Sequence, residues 1–275
     1  MIADPVLITS HHTGGGRAAF GSIVVEVGDN ASLSVVENQT SGDGPGLSLP
    51  RVSVTVGDAG RAAYATVQDL GDDLWQLGRQ HSVVGQQGDA QLAIAAFGGG
   101  YARLRTDTTL AGRGANGDLL AVYYGDDDQV LDFRTFQTHA APDTTSDLAF
   151  KGTVDDTAGS IYTGLIRIAE NGRNSNAHQA NRNIKLGEDA WAWSVPNLEI
   201  ENNEVRCSHA STVSPVDEDQ RFFLHARGVP PQIADRLIVA GFFADVVDRF
   251  PEVLREGIVS RVAAKLDRRD DRVAA

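Results

Sequence analysis

The stretch Glu204–Thr212, EVRCSHAST, contains the only cysteine of the chain and, two positions later, a histidine. Thiolate sulfur and imidazole nitrogen are ligands for zinc, iron and iron–sulfur clusters. In a β-strand, residues i and i+2 lie on the same face, so Cys207 and His209 would project side by side. Two donors are fewer than the roughly four that a structural zinc or a cluster needs. The pair therefore indicates either an open metal site shared with another chain, or a buried cysteine beside an ordinary strand histidine.

Two clusters of carboxylates could support a second kind of chemistry, the cleavage of polysaccharides. Asp126–Asp128 and Asp155–Asp156 follow apolar runs, and we predict that both groups lie in solvated turns. Carbohydrate-active β-helix enzymes that cleave acidic polysaccharides use such side chains, which makes Asp126, Asp155 and Asp156 the candidates for a lyase or hydrolase. We predict that Trp191 and Trp193, which share a strand face, pack in the core. We place His11 and His12 in a loop.

Length, charge and cysteine count limit the class of protein. The chain has 275 residues, of which 41% are hydrophobic, enough for one large domain with or without a small appendage. A net charge of −13 repels polyanions, so we expect neither nucleic acid nor an anionic membrane as a partner. One cysteine forms no internal disulfide, which favours a reducing, cytoplasmic location. The N-terminus lacks signal-peptide features, and Leu237–Val247 is far shorter than the roughly 20 residues of a membrane span.

The first 213 residues are predicted to form strands. Alternating or β-branched runs are separated by clusters of glycine, aspartate and asparagine. The clearest runs are Ser22–Val27, Arg51–Val56, Leu92–Ala95, Leu119–Tyr124, Ile161–Ile168 and Leu198–Ile200. No convincing helix interrupts them, so we predict a β core domain over residues 1–213.

A loose repeat runs through this domain. Gly28, Gly57, Gly85 and Gly112 each open a polar turn between apolar segments, and successive glycines are 29, 28 and 27 positions apart. A near-constant period in this range indicates stacked units. Parallel strands without crossover helices stack as the coils of a β-helix. A Greek-key sandwich is the alternative, but it would show turns every 8–12 residues without this period.

The last 62 residues, 214–275, have a different pattern and are predicted to form a small C-terminal helical domain. Ser214 as N-cap and Pro215 at the first helical position predict the start of the first helix. Apolar residues at three- to four-residue spacing predict two more helices, over 233–247 and 253–266. We expect the tail DRRDDRVAA to be frayed. Such a module either docks on its own β domain or binds a partner.

Three ordered motifs resemble the SufB/SufD family of the SUF iron–sulfur cluster assembly system. They are P-x-L-E-I at Pro196–Ile200, V-[KR]-C-S-H-x-[AS]-T-V at Val205–Val213, and F-[FY]-L-x-x-R-G at Phe222–Gly228. HHTGGGRAAFG, at His11–Gly21, also resembles the family, so the likeness extends over nearly the whole chain.

The resemblance is to the SufD branch. SufB-like chains have a C-E-H-E version of the motif and a further cysteine upstream. In this chain Ser208 and Ala210 replace the two glutamates, and residues 177–183 read AHQANRN. Ala210 also stands where glycine is usual in the family.

The resemblance implies a right-handed parallel β-helix followed by a C-terminal helical domain. It implies a non-catalytic scaffold subunit that pairs with a SufB-like subunit through the β-helix and docks a SufC-like ABC ATPase through the C-terminal helices. Cys207 and His209 match the family positions at the cluster-assembly interface, as candidate metal ligands shared with the partner chain. An iron–sulfur cluster would form there transiently, and none would be bound stably by this chain alone.

Two matters stay open. Family members usually carry an N-terminal helical segment, so the sequence is expected to be a short form or a fragment. A β-helix enzyme that uses the carboxylates, and a structural protein with a zinc site at Cys207, remain alternative functions.

Overall fold

The chain forms a parallel β-solenoid of about seven turns, followed by three helices. The computed structural model describes residues 4–274, and their side chains up to residue 272. One face of the solenoid is an eight-stranded sheet. It consists of β1 (Val6–His12), β4 (Ser32–Ser41), β7 (Arg61–Asp69), β9 (Asp89–Ala96), β11 (Asn116–Gly125), β13 (Thr145–Val154), β15 (Asn176–Lys185) and β17 (Arg206–Pro215), in that spatial order.

A nine-stranded sheet forms the other face. It consists of β2 (Arg17–Ala19), β3 (Ser22–Val27), β5 (Gly46–Ser48), β6 (Arg51–Val56), β8 (Leu74–Val84), β10 (Tyr101–Leu110), β12 (Val130–His139), β14 (Gly159–Ile168) and β16 (Trp191–Ile200). From β7 onward the chain alternates between the two sheets, and each strand pairs in parallel with the strand two elements later. This arrangement confirms the β-helix prediction and excludes the antiparallel Greek-key sandwich.

The glycine repeat marks one corner of the solenoid. The amide nitrogen of Gly57 donates to the carbonyl of Val27 at 2.8 Å, and that of Gly85 donates to the carbonyl of Val56 at 2.8 Å. A Cβ on Gly57 would lie 2.4 Å from a side-chain oxygen of Asp29 in the turn below. At Gly57, Gly85 and Gly112 the turn below approaches too closely for a side chain, whereas Gly28, in the first of these turns, has open space around it.

Two hydrophobic cores hold the chain together. The first fills the lumen between the sheets, where the rings of Phe133, Phe150 and Tyr162 follow one another at centroid distances of 5.8 and 5.5 Å. The second lies outside the eight-stranded sheet, where Tyr124 and its neighbours pack against Phe243 and other helical residues. The helices are therefore packed onto the solenoid by apolar burial, the main favourable contribution to folding.

The helices are α1 (Glu218–His225), α2 (Pro231–Val247) and α3 (Glu252–Ala274). The predicted start at Ser214 is wrong. Ser214 pairs in register with Ile184, so β17 continues through Pro215. Asp217 is the N-cap. Its Oδ1 accepts hydrogen bonds from the backbone amides of Asp219 and Gln220, at 2.9 and 3.2 Å. The division into domains at residues 213 and 214 stays a prediction.

The expected fraying of the C-terminal tail is also wrong for its described residues, because α3 continues to Ala274; Ala275 lies outside the described residues. Arg268, Arg269 and Arg272 of this segment bind carboxylates on the solenoid turns. At the other end of the chain, His11 and His12 lie in β1, not in a loop. Within residues 4–274, none of the helices combines the length and the apolar character that crossing a bilayer requires.

Candidate functional site

Cys207 and His209 lie on β17, the last strand of the eight-stranded sheet. Register pairing places Cys207 beside Ala177 and His209 beside Gln179, both of which are buried. The two candidate residues therefore share the face of β17 that points toward the lumen. Among the described strands, β17 pairs only with β15, so its other edge has free main-chain groups. The structure thus places both residues on one face of a single strand, as the i, i+2 spacing predicts; their role as a site stays a prediction.

The thiol of Cys207 is half-buried. It packs with Val205 against a small apolar cluster of Ile166, Ile168 and Ala177. This burial raises the pKa of the thiol above its ordinary value. Burial therefore favours the protonated, weakly nucleophilic form of the Cys207 thiol.

The imidazole of His209 is exposed and makes no hydrogen bond to another described residue. The nearby His178 differs: it lies on the outer face of β15, and its Nδ1 is 3.0 Å from the hydroxyl oxygen of Ser208. Within residues 4–274, no three histidine, cysteine, aspartate or glutamate side chains are grouped closely enough to hold a metal ion. Cys207 and His209 are thus two possible donor groups at this end of the solenoid, too few to hold a metal ion without others.

The end of the solenoid around these residues is apolar and open. Its exposed large side chains are Trp193, Val195, Leu198, Ile200 and Val213. The prediction that both tryptophans pack in the core is wrong, because Trp193 is 64% exposed on the terminal strand β16. Leu198, Ile200 and Val213 are exposed because no further turn covers the last one. Trp193 pairs in register with Ile161, so its ring lies on the outer face of the nine-stranded sheet. Exposed apolar surface beside a free strand edge is typical of an interaction site.

The carboxylates proposed for polysaccharide cleavage lie elsewhere, beneath α3. Asp126 is 1% exposed and binds Lys265 and Arg268, while Asp155 is 3% exposed and lies 3.1 Å from the Nε of Arg269. Burial alone would raise the pKa of Asp126, but the cations outweigh it and the pKa is lowered. The prediction of solvated turns is therefore wrong for these two side chains. Neither is accessible to a polymeric substrate.

The helices form a second open surface. No residue of α1 is buried, and Phe222 and Phe223 are 74% and 54% exposed. A groove of about 840 Å³ separates α1 and α2 from β15 and β17, with Phe223 and Leu237 on its walls. Arg221 of α1 binds the carboxylate of Asp235 in α2 at 2.7 and 3.0 Å, which holds α1 in place.

Comparison with known proteins decides the family. A family model described as SUF system FeS cluster assembly, SufBD core domain, matches residues 8–242. The chain belongs to the SufBD core family. This confirms the resemblance that the three sequence motifs indicated, and it assigns the chain to iron–sulfur cluster assembly.

Individual SufBD relatives agree with this assignment. A protein of Mycobacterium tuberculosis named iron–sulfur cluster assembly SufBD family protein is 32% identical, over 97% of this chain and 69% of its own length. The iron–sulfur cluster assembly protein SufD of Bacillus subtilis is 28% identical over 97% of this chain and 62% of its own length. SufD of Escherichia coli is 29% identical over 62% of this chain and 40% of its own length.

Sequence reasoning missed two features of this SufBD-family chain. One is the ion-pair layer beneath α3, whose partners lie far apart in the sequence, 139 positions for Lys265 and Asp126. The other is Gln179, a fully buried residue below His209. The alternation of β15 indicates an inward side chain at this position, but the strand pairing that places it below His209 is not visible in a single sequence.

Proposed function

We propose that this chain is a SufD-like scaffold subunit that catalyses no reaction itself and pairs, in the reducing cytoplasm, with a SufB-like subunit. The observation that carries the proposal is the position of Cys207 and His209 on the uncovered terminal strand of the solenoid. A partner with the same fold can add its own terminal strand to the free edge of β17, which would continue the sheet across both subunits.

Donor number supports a site shared between the subunits. A cluster held by about four protein ligands needs at least two more than Cys207 and His209 supply. Soft sulfur and imidazole nitrogen fit iron, and the half-buried thiol would ionise as iron approaches. The cluster is the cargo of the complex, so a transient, shared site with few donors from this chain suits its release.

The helical surface suits the second partner, a SufC-like ABC ATPase. The exposed side chains of Phe222 and Phe223 are apolar, and the groove beside them has both apolar and polar walls. Aromatic side chains are enriched among the interface residues that dominate binding energy. The groove borders β17 itself, so a partner bound there would lie close to the Cys207 strand. Movement of the ATPase would then act on the subunit interface.

Co-purification and reconstitution test this proposal. We expect the chain to co-purify with a SufB-like subunit and a SufC-like ATPase, and the complex to assemble clusters from iron and sulfide. Cys207→Ser and His209→Ala are expected to keep the unfolding transition of the wild type, because both side chains lie at an open end. Cluster yield is expected to fall by roughly tenfold or more, as for other ligand-shell substitutions.

His178→Ala is the matched control. This histidine lies on the adjacent strand but on the outer face, so its loss is expected to leave cluster yield unchanged. The scaffold role is contradicted if the chain captures neither partner. A role for the pair is contradicted if Cys207→Ser and His209→Ala both keep the wild-type yield, or if His178→Ala loses as much.

A further inference from the structure

Gln179 lies in the last covered layer of the solenoid, directly below His209. The register of β15 and β17 pairs these two residues. Neighbouring strands of a sheet are about 4.8 Å apart, and paired residues on parallel strands direct their side chains to the same face. The carboxamide of Gln179 is therefore within reach of an imidazole that turns toward the lumen.

The carboxamide has no hydrogen-bond partner. Gln179 is fully buried, and neither its Nε2 nor its Oε1 bonds to any described residue. The group lies against Gly164 of β14, where a Cβ would come within 2.5 Å of Nε2 and 2.7 Å of Oε1. Buried polar groups are nearly always paired, so an unpaired carboxamide next to a candidate site requires a reason.

The other inward-facing amides of β15 do have partners. The Nδ2 of Asn181 donates to the hydroxyl of Tyr123 at 3.0 Å, and the Nδ2 of Asn183 donates to the Oδ1 of Asn181 at 2.9 Å. Asn181 and Asn183 lie on β15 in the same turn of the solenoid as Gln179, below Ser211 and Val213 of β17, and both are satisfied within the chain. Of these three inward amides, Gln179 alone has no partner among the described residues.

The chemistry of histidine as a ligand supplies the reason. A neutral imidazole has one N–H and one lone pair, and a metal binds the lone pair. Ligating histidines almost always donate the remaining N–H to an acceptor, which fixes the tautomer and the ring orientation. The exposed His209 has no such acceptor within the described residues, and the Oε1 of Gln179 is an acceptor without a donor.

We infer that Gln179 is a positioning residue for His209. When the partner subunit covers the end of the solenoid and excludes water, the imidazole turns inward and donates its N–H to the Oε1 of Gln179. The other ring nitrogen is then held toward the interface with its lone pair free for iron. This inference rests on the proposed function, because it needs the paired subunits.

The test compares Gln179→Met with the wild type in the complex with the SufB-like subunit. Methionine has nearly the shape of glutamine but offers no strong acceptor. The ¹⁵N shifts of the His209 ring, assigned by their absence in His209→Ala, are measured at about pH 8, where an ordinary imidazole is neutral. We expect one tautomer in the wild type, a mixture of two in Gln179→Met, and a loss of cluster yield of roughly 10- to 100-fold.

Two further variants separate positioning from packing. Gln179→Glu keeps an acceptor oxygen and is expected to restore the single tautomer. Gln137→Met is the matched control, because Gln137 is also buried with both amide atoms unpartnered but lies on β12, away from β17. It is expected to leave the His209 spectrum and the cluster yield at wild-type values.

The outcomes distinguish this inference from the proposed function. If no complex forms, both the proposed function and the positioning role of Gln179 are contradicted. If the complex forms and its yield depends on His209, but Gln179→Met keeps the single tautomer, only the positioning role is overturned. An equal change in Gln137→Met would likewise overturn it, since the effect would then be one of lumen packing.

Discussion

The Nζ of Lys265, near the end of α3, donates a hydrogen bond to the Oδ1 of Asp126, on the turn after β11. The two residues are 139 positions apart, and both side chains are almost completely buried. Lys265 also donates to the Oε1 of Gln129 at 2.9 Å. A buried ion pair of this kind fixes where α3 lies on the solenoid.

Lys265→Met is expected to destabilise the protein by about 3 kcal/mol, because it leaves the buried Asp126 without its nearest cation. Urea unfolding gives the measurement. Arg236→Met, which removes a partly exposed pair with Asp267 and Asp270, is the control and is expected to cost about 1 kcal/mol or less. The double variant Lys265→Met with Asp126→Asn should recover part of the loss. Equal costs for Lys265→Met and Arg236→Met would contradict the importance of the buried pair.

His139 should make stability depend on pH. It is fully buried, its ring nitrogens lie 2.8 and 2.9 Å from the hydroxyls of Thr144 and Ser146, and burial lowers its pKa to about 4. Between that value and an ordinary pKa of about 6.5, the unfolded chain binds a proton that the native protein does not bind, so stability falls as pH falls. We expect a loss of about 2 kcal/mol between about pH 7 and pH 5 from this group.

The measurement is urea unfolding of the wild type and of His139→Gln at both pH values. Glutamine keeps a donor and an acceptor for the two hydroxyls but does not titrate. The variant should therefore lose less stability on acidification than the wild type. An identical loss in both proteins would show that other groups dominate in this range.

Gly152 tests the packing of the lumen. It pairs in register with Tyr123, and a Cβ at this position would lie 1.9 Å from the Cε2 of that ring. The ring cannot retreat, because Tyr123 is fully buried and its hydroxyl donates to Asn183 at 2.7 Å. Gly152→Ala should cost about 1–3 kcal/mol or more through overpacking.

Gly28→Ala is the corresponding control, since a Cβ at Gly28 would meet no atom within 4 Å. Its effect is expected to be neutral, or stabilising by up to about 1 kcal/mol, because alanine restricts the unfolded chain. Thermal unfolding of the two variants makes the comparison. Similar melting temperatures for both would mean that the lumen adapts to an added methyl group.

Substitutions of the phenylalanines of α1 distinguish an effect on partner binding from an effect on folding. Phe222→Ala and Phe223→Ala are expected to change unfolding by no more than about 0.5 kcal/mol, because neither side chain is buried. Affinity for the SufC-like ATPase, measured by calorimetry, is expected to fall by at least about tenfold if these rings are central contacts. Val253→Ala, at an exposed apolar position of α3 outside the groove, is the control. Loss of affinity in Val253→Ala alone would place the docking surface elsewhere.

The repeat, the strands and the paired side chains of the last strand could be predicted because they depend on local spacing. Alternation within a strand places Cys207 and His209 on one face, and the glycine period reports the stacking of turns. The fate of Asp126 could not be predicted, because its partners come from a helix more than 130 positions away. Considered without their partners, Asp126–Asp128 are typical of a solvated turn, and the charged C-terminal residues are typical of a frayed tail.

The exposure of Trp193 is a second feature that could not be predicted from the sequence. The register with β14 pairs Trp193 with Ile161 and so places the ring on the outer face of the nine-stranded sheet, whereas the inward neighbour Tyr162 is fully buried. Alternation along β16 indicates two faces, but a single sequence does not reveal which of them points to the lumen.

The free edge of β17 has a consequence for gene dosage. Its main-chain donors and acceptors can pair with any extended strand. If the chain pairs with a SufB-like subunit as proposed, molecules made in excess of that subunit are expected to associate with other strands, other copies included. Synthesis of the two subunits in matched amounts would protect the cell from such aggregates. Overproduction of this polypeptide alone should therefore yield inclusion bodies, which co-translation with the counterpart removes.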